Sequence, residues 1–366
     1  MTPRLVSLAL FLLSLVPVSA AQDTELEWYG YLRLDMAHDT AQSSHGNYTV
    51  FVQPHPAGEA TSTMSVTARQ SRLGAHATRG TMTGRLEVDF YGVSPENKNT
   101  VMLRYAYMSV PVGAFTLRAG QTMDMISPLN PLTVNYPVIW GAGNIGYRRP
   151  QIQLFRRTEA YFAGLALTRN ITGDLDGDTI VDGDASGVPA IQGRVALRPE
   201  WTLPGLELGV SGHYGKCNCP AKDIDYNNWS VSGDLAWKSS RVKVLAEVYR
   251  GSNLGAYAGT IYNSDRVNGL HSMGGWANLQ VALDELTRVS IGGGRDDVDE
   301  ADLGAEQQGV RERNQVAFAA VLRQITPEVT VGFELSHWAT RYSNPALGSE
   351  AEPTDLRLQW SIQGNF

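Results

Sequence analysis

Arg33, Arg85, Arg104 and Arg118 share one parity within four short segments of alternating polarity, and Arg72 and Arg148 or Arg149 can join them from two more. A guanidinium is charged at any physiological pH, and its planar fork matches a carboxylate or a phosphate. Neighbouring β-strands lie about 5 Å apart, so these side chains can align as one continuous basic wall. Rings of Arg or Lys are a recurring way to favour anions in a passage. The same parity carries Glu27, Asp35, Glu87, Asp89 and Glu334, whose carboxylates can pair with the arginines and cancel part of that field.

Three further stretches carry chemistry. Gln121 to Gly146 includes MDMISPLNPLTVNYP, whose three prolines forbid a central strand. Its Met123, Met125, Ile126, Leu129, Val138 and Trp140 are unusually apolar for a solvated loop, so it is expected to fold inward as a constriction, with Asp124 and Asn130 as polar contacts. Packing against a neighbouring subunit is the alternative. In DLDGDTIVDGD, Asp174, Asp176 and Asp178 match the first three ligand positions of an EF-hand-like loop, and Asp182 falls at the ninth. Thr179 stands where such a loop has Gly, and Ala185 where it has its bidentate Glu. The segment is either a hydrated acidic loop or a calcium site; no other cofactor is expected. Cys217 and Cys219, in KCNCP, form either a tight loop clip or two inert thiols.

The elements that must position these residues are β-strands. In Thr354–Phe366, the residues Leu356, Leu358, Trp360, Ile362, Gly364 and Phe366 alternate with Asp355, Arg357, Gln359, Ser361, Gln363 and Asn365. One face is apolar and the other polar, and the chain ends on an aromatic residue, as in the closing strand of an outer-membrane barrel. Sixteen such segments can be read, with five short turns alternating with long Gly- and Asp-rich loops, the asymmetry of these barrels. Trp28, Tyr107, Phe115, Trp237 and Phe366 fall at one end of their segments and Phe90, Tyr214 and Trp229 at the other, where two interfacial belts need them. The expected fold is therefore all-β: a transmembrane antiparallel barrel of about sixteen strands, with its third long loop folded inward.

Residues 1–21 have a basic Arg4, an apolar run from Leu5 to Val16 and small residues at the exit, which predicts a cleavable secretory signal followed by a barrel over 22–366. The net charge of −7 gives no reason to expect a nucleic-acid partner. GxSxG, HExxH and P-loop patterns are missing, no GxGxxG lies in a strand–helix context, and no enzymatic activity is expected.

Several segments, YGYLRLDMAHDT, TARQSRLG, GRLEVDFYG, MLRYAYM, AGQTMDMISPLNP, AGNIGYRRPQIQL, QGRVAL and SGHYG, resemble the DcaP-like outer-membrane porins. They run from Tyr29 to Gly215, with weaker similarity beyond. The resemblance implies a sixteen-stranded homotrimeric porin passing dicarboxylates and other small anions, among outer-membrane lipid and lipopolysaccharide. Some family members carry a periplasmic extension before the barrel, and none is visible between the signal and Trp28. A general, weakly selective porin is the alternative, ahead of a non-conducting scaffold or adhesin presenting loops such as Asp296–Glu306.

Overall fold

The computed structural model describes residues 23–92, 99–199, 203–304 and 309–366. The secretory signal expected over 1–21 lies outside the described residues. The strands are β1 (Glu25–Asp39), β2 (Thr63–Thr67), β3 (Arg72–Arg79), β4 (Met82–Asp89), β5 (Met102–Val112) and β6 (Phe115–Met123). They continue as β7 (Arg148–Arg157), β8 (Tyr161–Thr168), β9 (Ala190–Leu197), β10 (Leu206–Cys219), β11 (Ile224–Lys238) and β12 (Val242–Ser252). The last are β13 (His271–Ala282), β14 (Thr287–Val298), β15 (Val310–Gln324), β16 (Val329–Ser343) and β17 (Thr354–Asn365).

Each strand pairs antiparallel with its neighbours, and β1 pairs with β17 from Tyr31↔Asn365 to Asp39↔Arg357, which closes the sheet. The segments β2 and β3 both pair with β1, one above the other, so the seventeen segments occupy sixteen positions round a barrel. The sequence predicts one strand there, near Met64–Thr78. It is interrupted at Ala68–Ser71 by a turn in which Ser71 N–H donates to the Ala68 carbonyl, and Ser71 Oγ accepts the N–H of Arg33 that the ladder would otherwise use.

Period-two alternation decides what faces outward. On β1, Leu32 and Leu34 are exposed while Asp35 and Ala37 are buried; on β17, Leu356, Trp360 and Ile362 are exposed while Arg357 and Gln359 are buried. An apolar exterior and a polar interior suit a wall with lipid outside, where each unsatisfied backbone group would cost several kcal/mol. The belt aromatics Trp28, Phe115, Phe366, Phe90 and Tyr214 are outward-facing and exposed.

Tyr107 corrects the predicted belt. A bulge between Glu87 and Val88 of β4 shifts its register with β5, so Arg104 and Tyr105 both turn inward. A one-residue slip flips every later side chain. Tyr107 consequently stands in the lumen, under the Arg118 guanidinium at 4.4 Å. The predicted start of the sixth strand also moves, from Gly143 to Arg148, because the preceding residues belong to the inner loop.

The barrel is not hollow. Loops over 40–62, 124–147 and 253–270 fold into it and form apolar clusters with inward residues of the second half of the wall. One joins Ala41, Val52 and Ile139 to Trp276, Phe318 and Trp338; another joins Ile126 and Ile145 to Tyr249, Leu254 and Tyr257. Cys217 and Cys219 are both free and buried on one face of β10, so no clip forms.

The closure between β1 and β17 leaves no room at Gly30, where an added Cβ would meet the Arg72 carbonyl at 2.4 Å and the Phe366 ring at 2.8 Å. Gly30→Val is expected to lower the yield of the heat-modifiable, SDS-resistant folded form in refolding assays. A wild-type yield would show that the seam can relax around a branched side chain.

Candidate functional site

The loop between β6 and β7 is tied to the wall residue by residue. Its backbone N–H groups donate to inward side chains in order round the barrel. Met125 donates to Gln192 of β9 (2.8 Å), Ser127 to Ser211 of β10 (3.3 Å) and Leu129 to Glu247 of β12 (2.8 Å). Leu132 donates to Asn278 of β13 (3.1 Å), and Val134 to Glu334 of β16 (2.5 Å). The Val134 carbonyl accepts from Arg33 of β1 (2.7 Å) and Gln359 of β17 (3.3 Å), and the Tyr136 hydroxyl donates to Asp89 of β4 (3.2 Å). Pro128, Pro131 and Pro137 stand between these donors, at positions where no N–H is asked for. The segment follows nearly the whole inner circumference before turning back through Trp140 to Tyr147.

Asp124 fastens the neck of this loop. Its carboxylate pairs with Arg149 (2.7 Å), with both side chains fully buried, and accepts from Tyr147 N–H (2.9 Å) and Gln192 (2.7 Å). The Arg149 guanidinium also lies 3.7 Å over the Tyr257 ring. On the return path Gly143 has φ +101°, and a Cβ there would meet the Gly275 carbonyl of β13 at 2.2 Å. Only glycine permits that approach.

The predicted arginine wall exists, but most of it is compensated. Glu87, almost fully buried, takes Arg85 (2.6 Å), Arg104 (2.7 Å) and Arg72 (3.5 Å). Asp89 takes Arg104 (2.6 Å), and Asp35 takes Arg33 (2.7 Å). Arg149 and Asp124, expected on the passage, are instead sealed together behind the loop. Asn130 is exposed, as a lumen contact requires.

Two of the expected arginines differ. Arg118 lies over Tyr107 and Phe155 (5.2 Å) and donates to Ser109 Oγ (3.0 Å); Arg148 lies over Tyr147 (4.7 Å) and Trp140 (5.8 Å). Among the described residues no carboxylate pairs with either. An aromatic face holds a cation without cancelling its net charge.

The loop divides the interior into two cavities. The outer one, of about 530 Å³, is lined by Tyr48, Phe51, Tyr91, Tyr136, Trp140, Tyr147 and Arg311, among others. Tyr91 and Tyr136 stack at 3.9 Å, and Arg311 lies over Phe51 at 4.2 Å. The inner one, of about 520 Å³, opens at the short-turn end, with Pro128, Leu129 and Asn130 as its roof. Its walls carry Arg157, Arg194, Arg198, Lys238 and Lys243 against Glu207. Arg194 pairs with Asp234 (2.6 Å) and Glu207 (2.8 Å), and Arg198 with Glu207 (2.7 Å). Among the described residues Arg157, Lys238 and Lys243 have no such partner. With Arg118 beside them they form a basic arc from β6 to β12.

Sequence reasoning missed these five cations. The signal was present: Gln151, Gln153, Phe155 and Arg157 share the inward parity of β7, as Gln192 and Arg194 do on β9.

The model of the DcaP outer membrane protein family matches residues 14–196, half of the chain. The chain belongs to the DcaP outer membrane protein family. In the same fold, the outer membrane channel DcaP of Acinetobacter baumannii superposes with a TM-score of 0.77 at 16% identity, over 94% of this chain and 97% of that one. OmpF of Salmonella typhi, solved with daunomycin, gives 0.64 at 11% identity over 93% and 97%. The trimer form of OmpT of Vibrio cholerae gives 0.56 at 10% identity over 94% and 99%. No curated protein matches the sequence. Family and fold are those of bacterial outer-membrane channels, and this DcaP-family chain is a porin of the outer membrane.

Glu247 and Glu334 are the acidic wall side chains that accept the N–H groups of Leu129 and Val134, and an intramolecular hydrogen bond contributes roughly 0.5–1.5 kcal/mol net. Replacing both by Ala orphans the N–H groups of Leu129 and Val134. The double variant is expected to show added, larger conductance levels in single-channel recordings. A trace identical to wild type would mean that these two carboxylates do not hold the constriction.

Proposed function

We propose that this porin passes small hydrophilic solutes by diffusion with a preference for anions, dicarboxylates being the class that the family resemblance favours. The observation that carries the reading is the inner cavity, where five cations face one lining carboxylate directly beneath the constricting loop. Coulomb attraction between unit charges 4 Å apart is about 4 kcal/mol at an effective dielectric of 20, typical of a wet protein surface. Several uncompensated cations therefore lower the entry cost of a carboxylate strongly, while leaving it mobile along the arc. Release requires that no single contact dominate, and a series of spaced cations meets that need better than one deep pocket.

The compensated wall around Glu87 favours a second reading, a general porin of weak selectivity. In either case the mature protein is residues 22–366 after signal cleavage, and it acts as a homotrimer. Support for the trimer comes from the likeness to OmpT, which was solved in a trimer form. No catalytic step is part of the reading, in keeping with a family of channels.

In planar bilayers under a KCl gradient, the refolded protein is expected to insert in threefold conductance steps with a reversal potential on the chloride side. The triple variant R157A/K238A/K243A is expected to move that potential toward zero or past it, and to weaken block by a short dicarboxylate. A wild-type potential at zero would favour the general porin; an unmoved potential in the variant would take the arc off the ion path.

A further inference from the structure

The aspartates of the loop between β8 and β9 spend their oxygens at home. Asp174, Asp176 and Asp178 accept N–H groups of that loop, Asp176 also accepts Ala221 N–H, and Asp182 accepts the Tyr226 hydroxyl. The lumen holds a different set of residues that the channel reading leaves over. Phe155 of β7 and Phe162 of β8 face inward, into a wall that is otherwise mostly polar. Their rings stack at 5.7 Å, and Phe162 is buried in a cluster with Met125 of the inner loop, Ala166 and Ala196. Gly164, opposite Phe155 in the ladder, makes the room for this stack. A Cβ there would meet Phe155 Cβ at 2.8 Å, Met125 Cε at 3.0 Å and Phe162 Cζ at 3.1 Å.

Each ring carries a cation that no carboxylate takes among the described residues. Arg118 lies over Phe155 (5.2 Å) and Tyr107 (4.4 Å). Arg157, directly opposite Phe162 in the ladder, lies over that ring at 4.9 Å. Arg194 lies over the same ring at 5.5 Å, but its charge is spent on Asp234 and Glu207. Arg157, Arg194, Arg198 and Glu207 all line the inner cavity, and Glu207 already takes Arg194 and Arg198. Glu207 is therefore the partner open to an Arg157 side chain released from its ring.

We propose that Phe155 and Phe162 are positioning residues for ion selectivity, whose stacked rings hold Arg118 and Arg157 along the basic arc and keep them from being neutralised by the wall. A long arginine side chain in a wet lumen settles on the strongest partner in reach. A ring face fixes the guanidinium and leaves its charge uncancelled. Met125 closes the stack from the loop side, so the loop folded into the lumen also orders the cations beside it. The inference rests on the anion preference proposed above and adds that two uncharged residues set its size.

Reversal potentials under a KCl gradient are compared for wild type, F155L/F162L and F155Y/F162Y, with E207Q added to wild type and to the leucine variant. Folding is checked by heat-modifiability on gels, and F162L alone serves if the double variant does not refold. F155L/F162L retains every cation, yet is expected to lose about half of the chloride-side potential and to weaken dicarboxylate block about threefold, the size of a modest cation–π contact. F155Y/F162Y, which keeps both ring faces, is expected to stay near wild type. E207Q is expected to restore more potential in the leucine background than it adds to wild type, because it removes the carboxylate that Arg157 would take. A merely structural role for the rings would give equal gains in both backgrounds. A wild-type potential in the folded leucine variant, or equal E207Q gains, overturns the proposal. If R157A/K238A/K243A moves the potential and F155L/F162L does not, the arc stands and the rings fall; a wild-type potential at zero overturns both.

Discussion

Within hydrocarbon, every backbone N–H and C=O must find its partner in the protein, because no water is there to accept it. This chain meets the demand by pairing β1 with β17, and the final bonds are the mutual pair between Gly30 and Phe366 at 3.1 Å each way. The consequence for the lumen is direct. With the wall's backbone consumed by the ladder, the wall meets the backbone of anything folded inside chiefly through its inward side chains, beside the backbone bonds that the loops make with one another, such as Gly146 to Tyr257. Gln192, Ser211, Glu247, Asn278, Glu334 and Gln359 do this in turn for the inner loop. Its path is drawn by side chains on eight or so strands rather than by a second sheet, which is why it can hold three prolines.

The arginines divide by what holds them. Where a carboxylate does, as for Arg33, Arg85 and Arg104, the pair is rigid and its long-range field is small; truncating one member of a buried pair typically costs about 3–5 kcal/mol because the other is stranded. Those residues set the shape of the wall. Where an aromatic ring does, as for Arg118, Arg148, Arg157 over Phe162 (4.9 Å) and Arg311, the guanidinium is positioned but its charge stays available.

Much of the fold was legible because period-two alternation is a direct imprint of lipid on one side and water on the other. The terminal segment, the short and long connections and the proline-rich third loop all read correctly for that reason. Tyr107 did not, since parity counting assumes an unbroken register and the bulge opposite Arg104 breaks it. Nor did the state of the arginines: inward parity places Arg104 and Glu87 in one lumen but says nothing of height along the barrel, and height decides pairing. The inner basic arc was within reach of parity, but five cations scattered from Arg157 to Lys243 become neighbours only once strand tilt and stagger are fixed.

The two cavities also differ in what they ask of a passing solute. The outer one offers ring faces and tyrosine hydroxyls, with Arg311 in its lining and Arg148 stacked on its Trp140 and Tyr147, so a solute there meets polarisable surface together with two ring-held cations. The inner one offers dispersed cations and little apolar area. On the proposed anion path, a solute moving inward would meet weak, orientation-tolerant contacts first and the electrostatic ones after the inner loop. The loop that sets the width therefore also sets the order of these contacts.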